Sequence, residues 1–246
     1  KAGSEVAMQA GKEIKKTVLE LGGSDPFIVL EDANVSRAAK TGVSARFLNT
    51  GQSCIAAKRF LVQDNIYDEF IDIICCEIDN LVVGDALDEL TQIGPLAKRE
   101  FVEEIDSLVQ SAISDGANCL RGGNMRDCYY MPTLLIAVTD DMDVFKNETF
   151  GPVLCVTKFK DIDDAIRLAN QSDYGLGGSL WTSDIEKSKK IVGRINTGAV
   201  FVNDMTKSDP RLPFGGINKS GYGVELSEYG IKEFVNIKTI VISDNY

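Results

Sequence analysis

The chain has 246 residues, 44% of them apolar, enough for one large domain or two ordinary ones with a substantial core. Its net charge of −11, with no Lys/Arg cluster to offset it, excludes nucleic acid and anionic lipid as partners. No apolar run reaches the roughly eighteen residues of a membrane helix, and the opening KAGSEVAMQAGK has no signal-peptide core, so a soluble, cytoplasmic protein is expected.

The first residue is a lysine rather than a methionine, a helix is predicted almost at once, at 4–15, and sequence upstream of it is expected. Lys16–Leu21 reads as a strand closed by Gly22-Gly23, and Phe27–Leu30 as a second strand. A helix follows at Asn34–Leu48, ended by Asn49 and Gly51. Arg59–Val62 is a strand, and the helix predicted over 66–82 carries Ile66, Phe70, Ile74, Ile78 and Leu81 at helical spacing. A helix at 98–114 stops at Asp115-Gly116, and strands are predicted at 117–121, 133–138 and 153–159. Helix 162–171, strand 177–182, helix 184–195 and strand 198–203 continue the alternation. Strands alternating with helices predict parallel βαβ units and a doubly wound α/β sheet, with ligands beyond the carboxyl ends of the strands. The β-rich run Phe234–Ser243 has no later strand to pair with and is expected to join another sheet, in this subunit or a neighbour.

The chain has no histidine, which removes Ser-His-Asp and Cys-His machinery and every His-ligated metal site. Its six cysteines form no CxxC pair, so reduced thiols are expected. Cys54 follows a predicted helix among Gly51, Gln52 and Ser53, where backbone N–H groups could stabilise a thiolate and an adduct oxyanion. Glu20 ends an apolar strand before two glycines, where partial desolvation would raise a carboxyl toward the range of a general base. Glu148 and Phe150 in ETFGP set a carboxylate, suited to ribose hydroxyls, beside an aromatic ring. Pro213-Phe214-Gly215-Gly216, followed by Ser220-Gly221-Tyr222-Gly223, is a glycine-dense loop. Each feature also has an ordinary reading: a packed small thiol, an edge-strand carboxylate facing water, a turn before a strand, a long connection.

In this order and spacing, LELGG, GQSC, ETFGP and PFGG with SGYG and ELSEYG resemble the aldehyde dehydrogenase superfamily over essentially the whole chain. The stretches LELGGSDPFIVLEDAN and DPRLPFGG are similar to its succinate-semialdehyde branch. The resemblance implies a remnant of a dinucleotide-binding domain at 1–21, a catalytic domain at 22–224, and a segment at 225–246 bearing an oligomerisation strand. It implies that Cys54 is the nucleophile, Glu20 the general base and Glu225 a proton relay. For an NAD or NADP cofactor it implies Gly3 at the end of the pyrophosphate-binding turn, Leu21 and Gly22 beside the base, Glu148 on the ribose and Phe150 against the nicotinamide. The implied chemistry needs no histidine: thiolate addition to an aldehyde, hydride loss to the nicotinamide, and release of the acid by water activated at Glu20.

Members of the family are longer, and their upstream part holds most of the dinucleotide site, so this chain is expected to turn over poorly alone. Leu48 stands where the succinate-semialdehyde branch has an arginine for the substrate's distal carboxylate. Lys207, Ser208 and Arg211, with Phe214 nearby, are the candidate substrate-binding residues in its place. Val224 replaces a further family arginine. A small aldehyde as substrate, no metal, and a homodimer or homotetramer are implied. A cofactor-independent thiol esterase and an inactive structural fragment are the competing readings.

Overall fold

In the computed structural model, residues 2–243 are described. The chain opens with α1 (Ala2–Lys12), β1 (Leu19–Glu20), β2 (Pro26–Val29), α2 (Val35–Phe47), β3 (Arg59–Gln63) and α3 (Tyr67–Asp79). It continues through α4 (Arg99–Ser114), β4 (Asn118–Arg121), a hairpin of β5 (Met125–Arg126) and β6 (Tyr129–Tyr130), and β7 (Thr133–Ile136). Then come α5 (Asp143–Lys146), β8 (Val153–Phe159), α6 (Ile162–Asn170), β9 (Ser179–Trp181) and α7 (Ile185–Val192). β10 (Phe201–Val202), β11 (Gly221–Tyr222) and α8 (Ser227–Glu233) complete the described elements. Polar caps start three helices where the sequence places them: the side chains of Asn34, Asp161 and Asp184 accept from the N–H groups of Arg37, Asp164 and Lys187.

A seven-stranded sheet in the order β10-β9-β2-β3-β8-β7-β4 forms the centre. Alternation along β2 assigns its side chains to two cores. Phe27 and Val29 join Ala38, Val43, Phe60, Phe70, Ile74 and Trp181 under α2 and α3. Ile28 and Leu30 join Val102, Ile105, Val109, Phe145 and Leu168 on the opposite face. Burial on both faces makes these strands continuously apolar, which is the α/β pattern expected from the sequence. No helix among the described residues is long and apolar enough to cross a membrane.

Four expectations are corrected. The sheet is mixed, because β4 runs antiparallel to β7; the short hairpin between them offers no crossover helix to restore parallel direction. The strand expected over 16–21 reduces to β1, which lies outside the main sheet and pairs antiparallel with β11, Glu20 opposite Gly221. Of the two sheets expected to receive residues 234–243, the one in this subunit does not: among the described residues the run forms no strand here, leaving Ile237, Val241 and Ile242 exposed. The fourth concerns where the functional loops lie. Gly22-Gly23, Cys54 and Glu148 precede β2, β3 and β8, which run parallel in register, Pro26 beside Arg59 and Arg59 beside Cys155. They therefore gather at the amino ends of the strands, not beyond the carboxyl ends.

Candidate active site

The Cys54 loop begins where α2 fails to continue. Asn49 (φ 51°), Thr50 (φ 57°) and Gly51 (φ 72°) all adopt left-handed backbone, which costs energy at the two non-glycines and must be held by neighbours. Asn49 Nδ2 donates to the Gln52 carbonyl at 2.9 Å, and Thr50 Oγ1 and Gln52 Oε1 accept the N–H groups of Gly94 and Ala97, each at 3.0 Å. A Cβ at Gly51 would collide with the backbone of Gly151. Arg46, fully buried at the end of α2, donates to the carbonyls of Ala57 (3.2 Å), Thr149 (2.8 Å) and Gly151, and so fastens the cysteine loop to the loop carrying Glu148. Burial without a paired carboxylate pushes its pKa down to about 10.

Lys58, its side chain 2% exposed, turns back into the same loop and donates to the carbonyls of Ser53 and Cys54, each at 3.2 Å, and Ala56 at 3.0 Å. Its Nζ lies 3.6 Å from Glu148 Oε1. That carboxylate oxygen also accepts the Gly23 N–H at 3.0 Å, and a Cβ at Gly22 would collide with the same carboxylate. A Cβ at Gly23 would sit 2.5 Å from the Cys54 carbonyl oxygen, so the two glycines let three loops close on one another. Asp25 is buried beneath, accepting the Gly177 N–H at 3.0 Å, and burial pushes its pKa up.

Glu20 ends β1 with Oε1 buried and unpartnered among protein atoms. Burial, reinforced by the charge of Glu225, raises its pKa to about 7, while the Gly216 N–H opposes the rise. Glu225 is fixed by reciprocal backbone bonds with Phe214, N to O at 2.9 Å and 2.6 Å. The Cys54 thiol, half-buried, is held above its ordinary range by burial first, then by Glu20; Lys58, and an N–H bond from Ile55, pull it down. Glu225 thus acts on Glu20, and Glu20 on Cys54.

Beside them opens a cleft of about 720 Å³ lined by Gly3, Leu21, Gly22, Glu148, Tyr174 and Lys219, among others. A Cβ at Gly3 would strike the Leu21 side chain, so part of its wall is backbone, and the Glu148 carboxylate lines it too. That shape and donor set suit the sugar and phosphate of a nucleotide.

The aldehyde dehydrogenase family model matches residues 1–240. The chain belongs to the aldehyde dehydrogenase family. It is 49% identical over 245 residues to a probable succinate-semialdehyde dehydrogenase [NADP(+)] of Synechocystis, covering 98% of this chain and 54% of that protein. It is 48% identical over 242 residues to succinate-semialdehyde dehydrogenase [NADP(+)] 1 of Mycobacterium ulcerans, covering 97% and 53%. Among solved structures, an NAD-dependent aldehyde dehydrogenase of Sinorhizobium meliloti superposes with TM-score 0.96 at 35% identity, covering 99% of this chain and 49% of that one. The succinate-semialdehyde dehydrogenase of Burkholderia pseudomallei gives 0.94 at 34%, covering 96% and 50%. The chain spans about half the length of the curated relatives it matches.

Not every residue singled out from the sequence of this family member is drawn to the cleft. Phe150 is 40% exposed and does not line it. Lys207 pairs with Asp204 at 2.5 Å, and Arg211 is held by Asp209 through bonds of 2.9 Å and 2.6 Å with its side chain 85% exposed. Ser208 is exposed, and the hydrogen bonds and ion pairs of the described residues link none of the three to Cys54 or Glu20. Only Phe214 is tied in, through Glu225. Sequence reasoning passed over Arg46, Lys58, Asp25 and Tyr174. A lysine and an arginine within five residues of a candidate nucleophile, in the otherwise apolar IAAKRFLV, were the available signal for a buried cation.

Proposed function

We propose that this chain is the chemistry-bearing part of an NAD(P)-dependent aldehyde dehydrogenase, with succinate semialdehyde as the first substrate to test. The observation that carries the reading is the placement of Cys54 within the field of Glu20, whose pKa is raised to about 7, next to a glycine-walled cleft that Glu148 also lines. The names of the Synechocystis and Mycobacterium relatives support the substrate and NADP; the Sinorhizobium neighbour keeps NAD in the comparison.

In this reading the Cys54 thiolate adds to the aldehyde carbon, and the backbone N–H of Cys54 helps to hold the resulting oxyanion. Gly3, Leu21, Gly22 and Glu148 would hold the dinucleotide, which supplies the hydride acceptor when bound. Loss of hydride leaves an acyl-Cys54 thioester. Glu20 takes a proton from water, the water oxygen attacks the thioester, the carbon–sulfur bond breaks, and the acid departs as the thiolate returns. Glu225 receives the proton from Glu20 and passes it to solvent. A carboxyl poised near pH 7 accepts a proton from water far better than one at its ordinary value. The 246 residues span about half of the relatives' length, and alone they are expected to turn over poorly.

The test is to mix the full-length protein with succinate semialdehyde and NADP or NAD, quench within one turnover, and map adducts by mass. A succinyl group on Cys54 that persists in Glu20→Gln is expected. Unmodified Cys54, or undiminished oxidation by Cys54→Ser, would overturn the reading.

A further inference from the structure

The buried ammonium of Lys58 has more consequence than filling a loop. Its three hydrogen bonds all go to carbonyls, of Ser53, Cys54 and Ala56, and among the described residues no carboxylate lies within hydrogen-bond distance; Glu148 Oε1, at 3.6 Å, is a partner by charge alone. Neutral donors could satisfy carbonyls equally well, without the several kcal/mol that burying an ammonium costs. What a lysine adds here is positive charge, delivered to the backbone of the candidate nucleophile.

We propose that Lys58 is a positioning residue that serves as the internal counter-charge of the Cys54 thiolate and shares that charge with Glu148, so that the carboxylate on the cofactor side sets how readily the sulfur ionises. The inference rests on the reading of Cys54 as a nucleophile and adds how its thiolate is supported.

The surroundings of both groups bear on the sign. Facing Lys58 are Arg46 from α2, Asp25 at the start of β2, Glu148 from the loop before β8, and Cys54 itself. Acting on Cys54 are Glu20 from β1 and Asp25, which disfavour the thiolate, and Lys58, which favours it. Burial lowers the Lys58 pKa to about 8, with Arg46 adding to the fall and the three anionic groups opposing it. With Glu20 and Asp25 opposing the thiolate, Lys58 is the charged side chain that favours it. Glu148 helps to keep that ammonium charged, so neutralising Glu148 favours the neutral amine and weakens the field that supports the sulfur.

The experiment is the pH profile of iodoacetamide alkylation at Cys54, read by peptide mass in the full-length protein. Buried Cys155 serves as an internal monitor of folding. In Lys58→Met the inflection is expected to rise by about one pH unit or more, with roughly tenfold slower labelling at neutral pH, and Lys58→Arg is expected to recover most of the loss. Glu148→Gln is expected to move the inflection up, because Lys58 then loses its proton more readily, and that effect is expected to vanish in the Lys58→Met background. An unchanged inflection in Lys58→Met with Cys155 still protected would overturn the proposal. If Lys58→Met unfolds, seen as labelling of Cys155, then Glu148→Gln decides: a rise supports the proposal, and no change or a fall overturns it. A profile indifferent to Lys58 beside a trapped acyl-Cys54 rejects this inference alone, whereas absence of the adduct rejects the reading beneath it.

Discussion

The loop that carries Cys54 and the loop from Asp204 to Leu212 both place basic side chains beside a glycine-rich turn, yet they treat the charge in opposite ways. In the first, Arg46, Lys58 and Arg59 are at most 2% exposed and spend their donors mainly on carbonyls: Arg46 on Ala57, Thr149 and Gly151, Arg59 on Ser24, Leu168 and Ala169. In the second, Lys207 and Arg211 reach only the aspartates three and two residues away, in solvent. A buried cation that binds carbonyls from separate loops fixes their relative positions, because every lost bond leaves a desolvated oxygen behind. An exposed pair of neighbours fixes little, since water replaces it at small cost.

Removing a clamp tests the first half of that contrast with the largest effect. Arg46→Met keeps the apolar stem but strands three carbonyls in the interior, so a loss of about 3 kcal/mol or more in unfolding free energy is expected from urea denaturation. Because the Thr149 and Gly151 carbonyls belong to the loop bearing Glu148, the KM for the dinucleotide should rise together with a slower Cys54 alkylation. A stability loss under 1 kcal/mol, with both readouts unchanged, would mean that the guanidinium fills space and positions nothing.

Next in size is the loss of Glu20. Glu20→Gln should lower acyl-enzyme hydrolysis by about 10²-fold or more while leaving acylation of Cys54 largely intact, so a burst of reduced cofactor precedes slow turnover. In the wild type, turnover limited by hydrolysis should climb as pH rises through about 7, where Glu20 ionises. Stability has the reverse slope. The folded-state pKa lies above the ordinary carboxyl value of 4.5, so Glu20's contribution to stability is fully present below pH 4.5 and is lost as pH rises to about 7. Glu20→Gln should flatten that part of the stability curve, and an equally steep curve in the variant would place the raised pKa elsewhere.

How much of this was legible beforehand follows from where each signal lies. Local rules sufficed for the helices that start near 34, 162 and 184 and for the apolar strands, because hydrogen bonding within four residues and burial on two faces leave their mark in the sequence itself. The direction of β4, the pairing of β1 with β11, and the short helices α5 and α8 depend on contacts distant in sequence, and no local pattern encodes them. Cys54, Glu20 and Glu148 stood out as chemical residues beside glycines. Arg46 and Lys58 did not, because a cation in a sequence reads as surface until the carbonyls that surround it are known.

The smallest expected effect belongs to Arg211. Its guanidinium is already held by both oxygens of Asp209, and that bond holds the Asp209 carboxyl well below its ordinary range. To receive a substrate carboxylate it would have to exchange one anion for another in water, a trade that returns almost nothing. Arg211→Ala should therefore shift the melting temperature by no more than about 1 °C and the KM for succinate semialdehyde by about twofold or less. An uncharged aldehyde of similar length supplies the control. A rise of about tenfold or more, confined to the charged substrate, would show that Arg211 leaves Asp209 to bind it, and would move this loop from the weakly coupled side of the contrast to the side where charge directs recognition.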